Sequence, residues 1–169
     1  MPTITLDVPD ETALGPLARA VVAALPQGAF VALSGDLGAG KTTFVKAVAA
    51  ASGIDPVEVV SPTFGLIHAH DGPHGRLVHA DFYRLPDVES LHETGWDDAV
   101  AAADWTLVEW PERIAPALPP DRLDVAITIT GPGSRALTFC SRGPRHDRMV
   151  EALTQLATDR VIRPARGCP

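Results

Sequence analysis

Apolar residues recur along this chain with two periods, and the changes between them mark the elements. Ile4, Leu6 and Val8 alternate over residues 3–8 and predict an edge strand. From Leu14 the spacing turns helical, through Leu17, Ala18, Val21, Val22 and Leu25, with Asp10 where an N-cap is expected. Residues 29–34 form a short apolar run that reads as a buried strand. Residues 43–51 read as a helix, with Gly53 as its stop. Residues 54–57 connect onward. Residues 64–80 read as a β-hairpin, turning at Asp71-Gly72-Pro73-His74-Gly75 and returning through Leu77-Val78-His79-Ala80.

The second half continues in the same way. Residues 86–92 and 96–103 suggest short helices, and 105–108 a further apolar strand with Glu109 at its end. Residues 111–115 make a short helical turn, followed by a rigid linker of Pro116, Pro119 and Pro120. Leu123, Val125, Ile127 and Ile129 alternate, as do residues 136–139, and Gly131-Pro132-Gly133 joins the two strands. Residues 145–158 predict a closing amphipathic helix. Interleaved strands and helices place the chain in the α/β class, and two hairpins imply a mixed β-sheet flanked by helices.

The junction at residues 35–42 changes this picture from architecture to chemistry. Gly35-Asp36-Leu37-Gly38-Ala39-Gly40-Lys41-Thr42 satisfies G-x-x-x-x-G-K-[ST] between a predicted strand and a predicted helix. Glycines there let the backbone wrap an anion, and successive N–H groups with the helix N-terminus supply positive potential. Lys41 is expected to reach the β- and γ-phosphates, and the Thr42 hydroxyl to bind Mg²⁺. The fold is therefore expected to be P-loop NTPase-like, in one domain over residues 1–160 with a loose tail over 161–169.

Composition sets limits on partners. The 169 residues carry a formal net charge of −7 and are 46% hydrophobic, which argues for a folded core and against a standing affinity for nucleic acid or anionic membrane. Arg142, Arg145 and Arg148 leave room for a local basic patch, though a solvated surface is the simpler reading. Cys140 and Cys168 stand far apart and read as reduced thiols of a cytoplasmic protein. The N-terminus lacks the pattern of a signal peptide, and no run is apolar for about 18 residues, so no membrane span is expected.

Hydrolysis requires an acidic group near the metal. Asp81 and Glu109 both end predicted strands, where ligands bind in open α/β sheets, and either fits a Walker-B carboxylate. His79 interrupts the apolar run before Asp81. Ser61-Pro62-Thr63 has the look of a switch segment, against the plainer reading of a proline turn. Trp110 reads as core packing or as an indole beside the nucleotide. His68 and His70 share a face, but nothing completes a metal site with them, so the hairpin histidines read as surface or core residues.

Together these residues resemble the TsaE (YjeE) family: the P-loop with Thr43, then Ser61-Pro62-Thr63-Phe64, then His79-Ala80-Asp81-Phe82-Tyr83-Arg84-Leu85, then Glu109-Trp110-Pro111-Glu112, in this order. The resemblance spans roughly residues 10–140. It implies a small ATPase supporting N6-threonylcarbamoyladenosine (t6A37) synthesis in tRNA. Such an enzyme docks on TsaD and TsaB, hydrolyses ATP to ADP well only with them, and meets tRNA only indirectly. It further implies Thr42 and Glu109 as Mg²⁺ ligands, Asp81 as catalytic carboxylate, Thr63 as switch threonine and Trp110 as nucleotide sensor. Gly35 to Thr43, with Lys41, would hold the nucleotide. One departure is Glu93-Thr94-Gly95-Trp96, where the family often has Leu-Gly before an acidic helix.

Two other functions remain to be weighed. A GTPase would need an Asn-Lys-x-Asp element, and the chain contains no asparagine. A small-molecule kinase would need an acceptor pocket and an arginine lid, for which Arg142 and Arg145 are the candidates. A nucleotide-gated binding module overlaps the ATPase reading.

Overall fold

A computed structural model describes residues 1–62 and 66–159. The strands are β1 (Thr3–Val8), β2 (Ala29–Ser34), β3 (Ile67–Gly72), β4 (Gly75–Asp81), β5 (Trp105–Glu109), β6 (Leu123–Ile129) and β7 (Arg135–Ser141). The α-helices are α1 (Leu14–Ala24), α2 (Lys41–Ala51), α3 (Trp96–Ala101) and α4 (Pro144–Thr158). All seven strands form one sheet in the order β1-β7-β6-β2-β5-β4-β3. The central pairs β6/β2, β2/β5 and β5/β4 are parallel, and the outer pairs are antiparallel hairpins or, for β1, an added edge. The expected mixed α/β architecture is the observed one.

Strand alternation sends successive side chains to opposite faces, and each face has its own core. Leu33, Phe44, Val45, Val48, Leu107, Phe139 and Met149 pack beneath α1, α2 and α4. Phe30, Ala80, Phe82, Leu91, Trp96, Val108 and Ile114 pack on the other side, under α3 and two 3₁₀ helices, Glu89–Thr94 and Pro111–Ala117. Phe82 and Phe30 both meet Trp96 edge-on, with centroids 5.3 and 6.0 Å away. These edge-to-face contacts add specificity to the apolar burial.

The parallel register matters most for function. Leu33 lies opposite Glu109, and Glu109 opposite Asp81. The C-terminal ends of β2, β5 and β4 thus finish level, beside the loop that leads into α2.

Local chemistry moved several boundaries. Asp10 caps a 3₁₀ turn, Glu11–Ala13, through the amides of Thr12 and Ala13, and α1 begins only after it. The helix read over 86–92 is instead the 3₁₀ helix Glu89–Thr94, ended by Gly95 in the left-handed region. The next helix stops at Ala101. Helix α2 begins at Lys41 rather than Thr43, because Gly40 (φ 106°) turns the chain straight into helix. The first two of the residues read as hairpin, 64 and 65, lie outside the described residues, as do Cys168 and the tail over 161–169.

Arg142 and Arg145 do not form an open basic patch. Arg142 donates to Asp124 at 2.6 Å, and Arg145 donates to the Gln27 carbonyl. A fully buried His146 bonds Asp121 Oδ1 through Nδ1 at 2.8 Å, and the Arg145 amide donates to the other carboxylate oxygen. This latch ties the start of α4 to the loop before β6. Burial pushes the Asp121 carboxyl up, but the bonds from His146 and Arg145 outweigh it and hold it below the usual range. A lowered folded pKa means that the latch stabilises above the unfolded carboxylate pKa and fades as pH falls through the folded one. His146→Ala should therefore lower stability by about 2 kcal/mol at neutral pH. Urea unfolding checks this, and the deficit should shrink in acid below the ordinary Asp range.

Candidate functional site

The loop between β2 and α2 is shaped by three positive backbone angles, at Gly35 (φ 146°), Gly38 (78°) and Gly40 (106°). At Gly35 a Cβ would lie 2.5 Å from the Ile127 carbonyl oxygen, so the loop's root presses directly on β6. Arg135, at the start of β7, braces the loop from behind. Its Nε donates to the Ala39 carbonyl at 2.7 Å, and its Nη1 to Ser134 O at 2.8 Å. That bond ties a loop carbonyl back to the sheet. Gly38, Gly40, Lys41, Thr42 and Thr43 line the near wall of a cleft of about 510 Å³, with Leu37 71% exposed at its lip.

The Lys41 ammonium is held by the loop that precedes it. It donates to Gly35 O at 2.7 Å and Asp36 O at 3.0 Å, and sits 4.0 Å from the centroid of the Trp110 ring. Burial lowers its pKa from the ordinary lysine value, while Glu109, Asp81, Glu112 and Asp36 pull the other way. A desolvated cation attracts an incoming anion, while the neighbouring carboxylates oppose it.

The far wall comes from the ends of β4 and β5. Thr42 Oγ1 donates to Glu109 Oε1 at 2.7 Å, across the parallel sheet ends. His79 Nε2 contacts the same oxygen at 2.9 Å. Asp81 is held by both oxygens: Ser61 Oγ donates to Oδ2 at 2.7 Å, and the Tyr83 amide to Oδ1 at 3.0 Å. Trp110 adopts a left-handed backbone (φ 59°, ψ 52°), a conformation costly for a bulky residue, and its ring stacks against Tyr83 at 4.8 Å. The strain turns the chain sharply after Glu109 and sets the indole over Lys41.

Thus Lys41, Thr42, Asp81, Glu109 and Trp110 come together around one cleft, with Asp36 contributing its carbonyl and Ala39 buried behind the loop. Thr63 lies outside the described residues. Its neighbours Ser61 and Pro62 line the cleft. The Thr42 hydroxyl and the Glu109 carboxylate are hard oxygen donors 2.7 Å apart, a pair that suits Mg²⁺, which binds few protein oxygens and keeps waters or phosphates for the rest. Among the described residues no cluster of three or more His, Cys, Asp or Glu side chains is arranged to hold a metal.

Several residues of the site were given no role from sequence. Tyr83 and Arg84, quoted only as part of a motif, follow Asp81 into the cleft wall, and Arg135, which braces the loop from behind, comes from a strand far along the chain. His79 reads in sequence as an interruption, yet it lies two residues before Asp81 on one strand face. That period of two was the available signal. A second cleft of about 300 Å³ opens on the other flank of Gly40, walled by Glu11, Leu14, Thr43, Ile127, Pro132 and Arg135. No sequence pattern pointed to it, because it joins the first helix to the last hairpin.

Comparison with known proteins follows the same span. The family model for "Threonylcarbamoyl adenosine biosynthesis protein TsaE" matches residues 8–137. The chain is similar to the tRNA threonylcarbamoyladenosine biosynthesis protein TsaE of Bacillus subtilis, 36% identical over 147 residues, covering 87% of this chain and 90% of that protein. The TsaE of Treponema pallidum is 38% identical over 116 residues, 68% of this chain and 83% of its own length. Among solved structures, Bacillus subtilis YdiB superposes with a TM-score of 0.73 at 30% identity, covering 90% of this chain and 95% of that one.

The pressure of Gly35 on β6 makes a direct prediction. Gly35→Ala meets both a disfavoured φ and the Ile127 carbonyl, so it should destabilise the fold by about 2–4 kcal/mol, measured by chemical unfolding. Gly38, whose φ of 78° is also positive, faces open space, and Gly38→Ala should cost only about 1 kcal/mol.

Proposed function

The chain belongs to the TsaE family, and on that premise we propose that it is a Mg²⁺-dependent ATPase serving tRNA threonylcarbamoyladenosine synthesis in complex with TsaD and TsaB. The observation that carries this reading is the convergence of Lys41, Thr42, Glu109 and Asp81 on one cleft at three level strand ends.

The residues divide the work as follows. Lys41 exchanges its bonds to Gly35 O and Asp36 O for bonds to the β- and γ-phosphates. The loop amides and the N-terminus of α2 bind the remaining phosphate oxygens. Thr42 and Glu109 hold Mg²⁺, which when bound neutralises charge on the phosphates. Asp81, fixed through both oxygens, orients the attacking water or takes its proton for in-line displacement. Thr63 is the proposed switch residue that distinguishes ATP from ADP, and Trp110 reports occupancy through its contact with Lys41. The second cleft, flanking Gly40 opposite the phosphates, is the proposed seat of ribose and base.

The kinase alternative loses its lid. Arg142 and Arg145 are bonded to Asp124 and Gln27, and neither lines the phosphate cleft. The net charge of −7 favours contact with tRNA through partners rather than directly. No described helix is long and apolar enough to cross a membrane.

Two substitutions and one assay test the reading. Asp81→Ala should retain ATP binding within about threefold and lose at least about 100-fold in turnover. Lys41→Ala should weaken binding itself, by about tenfold or more in a nucleotide titration. Phosphate release should be slow for the chain alone and rise steeply when TsaD and TsaB are added together. A rate indifferent to them would remove the proposed place in the complex, and preference for GTP in direct competition would remove the ATPase assignment.

A further inference from the structure

We infer that His79 is a positioning residue for the metal: its imidazole sets the orientation of Glu109 and, through it, of the Thr42 hydroxyl. The inference rests on the Mg²⁺-nucleotide reading above and extends it to a residue outside the loop and outside the cleft wall.

The physical case begins with burial. His79 is fully buried on β4, in a run otherwise made of Leu77, Val78 and Ala80. An aliphatic side chain would serve a core of that kind better. The imidazole brings two polar nitrogens out of water, and only one of them is met: Nδ1 is buried without a hydrogen-bond partner. Packing alone does not account for such a group.

The other nitrogen explains its presence. Nε2 lies 2.9 Å from Glu109 Oε1, and Glu109 is itself only 3% exposed. An ionised carboxylate oxygen only accepts, so Nε2 is the donor in this contact. The same Oε1 accepts from Thr42 Oγ1 at 2.7 Å. Two donors, one from β4 and one from α2, therefore converge on one oxygen. The consequence is directional. Thr42 has one hydroxyl proton, and with it committed to Glu109 the lone pairs of Oγ1 are left for a cation. With Oε1 taken by two donors, Oε2 is left for the same cation. Hydrogen-bond partners of a metal's ligands orient those ligands in this way, and losing one typically costs about 10–100-fold in metal affinity or activity.

Strand register makes the arrangement rigid. His79 lies opposite Leu107 on β5, and Asp81 opposite Glu109, so donor and carboxylate are fixed by backbone pairing rather than by a flexible loop. His79 and Asp81 also share a strand face. One strand thus supplies both the residue that positions the metal ligand and the proposed catalytic carboxylate.

The test compares ADP binding to the full chain with Mg²⁺ and with EDTA, together with Mn²⁺ binding to the ADP-loaded protein by electron paramagnetic resonance. In the native chain the metal should strengthen ADP binding, and absence of that gain would overturn the Mg²⁺-nucleotide reading itself. His79→Leu should erase most of the gain and weaken Mn²⁺ binding by about tenfold or more, with EDTA affinity unchanged within about twofold. His79→Gln, whose amide nitrogen falls near the Nε2 position, should restore most of the metal-dependent gain. A leucine variant that keeps the gain, or loses EDTA affinity equally, would overturn the inference while leaving the nucleotide reading intact. Should His79→Leu not fold, His79→Asn replaces it, because its amide reaches only the Nδ1 position. Gain kept by glutamine and lost by asparagine supports the inference, and equal behaviour of the two overturns it.

Discussion

Glu109 is 3% exposed, and a carboxylate so far from water is tolerable only where donors meet its oxygens. Here they come from two separate parts of the chain, Thr42 at the start of α2 and His79 on β4. The bonds join the start of α2, just after the glycine-rich loop, to the central parallel strands of the sheet. If Glu109 moved, Thr42 would lose its acceptor, His79 would be left wholly unpartnered, and Trp110, the next residue, would leave its place over Lys41. The site is built outward from this one buried charge.

Parallel pairing is what allows a charge to sit there. Strands running the same way finish at the same edge, so the ends of β2, β5 and β4 deliver a glycine-rich loop, the Glu109 carboxylate and the Asp81 carboxylate to one place. The antiparallel hairpin β6/β7 contributes differently. It presents Ile127 against Gly35 and Arg135 against Ala39, so the back of the loop rests on rigid sheet. Front and back of the loop are thus held by elements distant in sequence. Trp110 carries the strain of a positive φ on a bulky residue, while Gly35, Gly38 and Gly40 take theirs with no Cβ to clash.

The fold was largely legible because its strands announce themselves by period. The alternation of residues 3–8 and 123–129, and the apolar runs before Gly35 and Glu109, each mark a real strand. What failed locally were capping and turn geometries. Asp10 caps a 3₁₀ turn because its carboxylate meets the amides of Thr12 and Ala13, and the helical segment read over 86–92 starts only at Glu89 and runs on to Thr94, where Gly95 ends it by turning left-handed. Such outcomes depend on single hydrogen bonds and single dihedral angles, which periodicity does not encode. The partners of Arg142 and Arg145, Asp124 and the Gln27 carbonyl, could not be read from the basic run either, because they lie far from it in sequence.

The candidate site divides along the same line. Sequence alone determined the glycine-rich loop between strand and helix, the α/β class and the two carboxylates at strand ends, because each rests on residue type at short spacing or on a local apolar period. Tertiary structure alone decided that Glu109 takes Thr42 while Asp81 takes Ser61, since strand order and register choose which ends are neighbours. It decided likewise that Arg135 braces the loop, that a second cleft opens beside Gly40, and that His79 is joined to Glu109 rather than idle in the core. Local spacing encodes what a residue can do, and long-range packing fixes which residue it does it with.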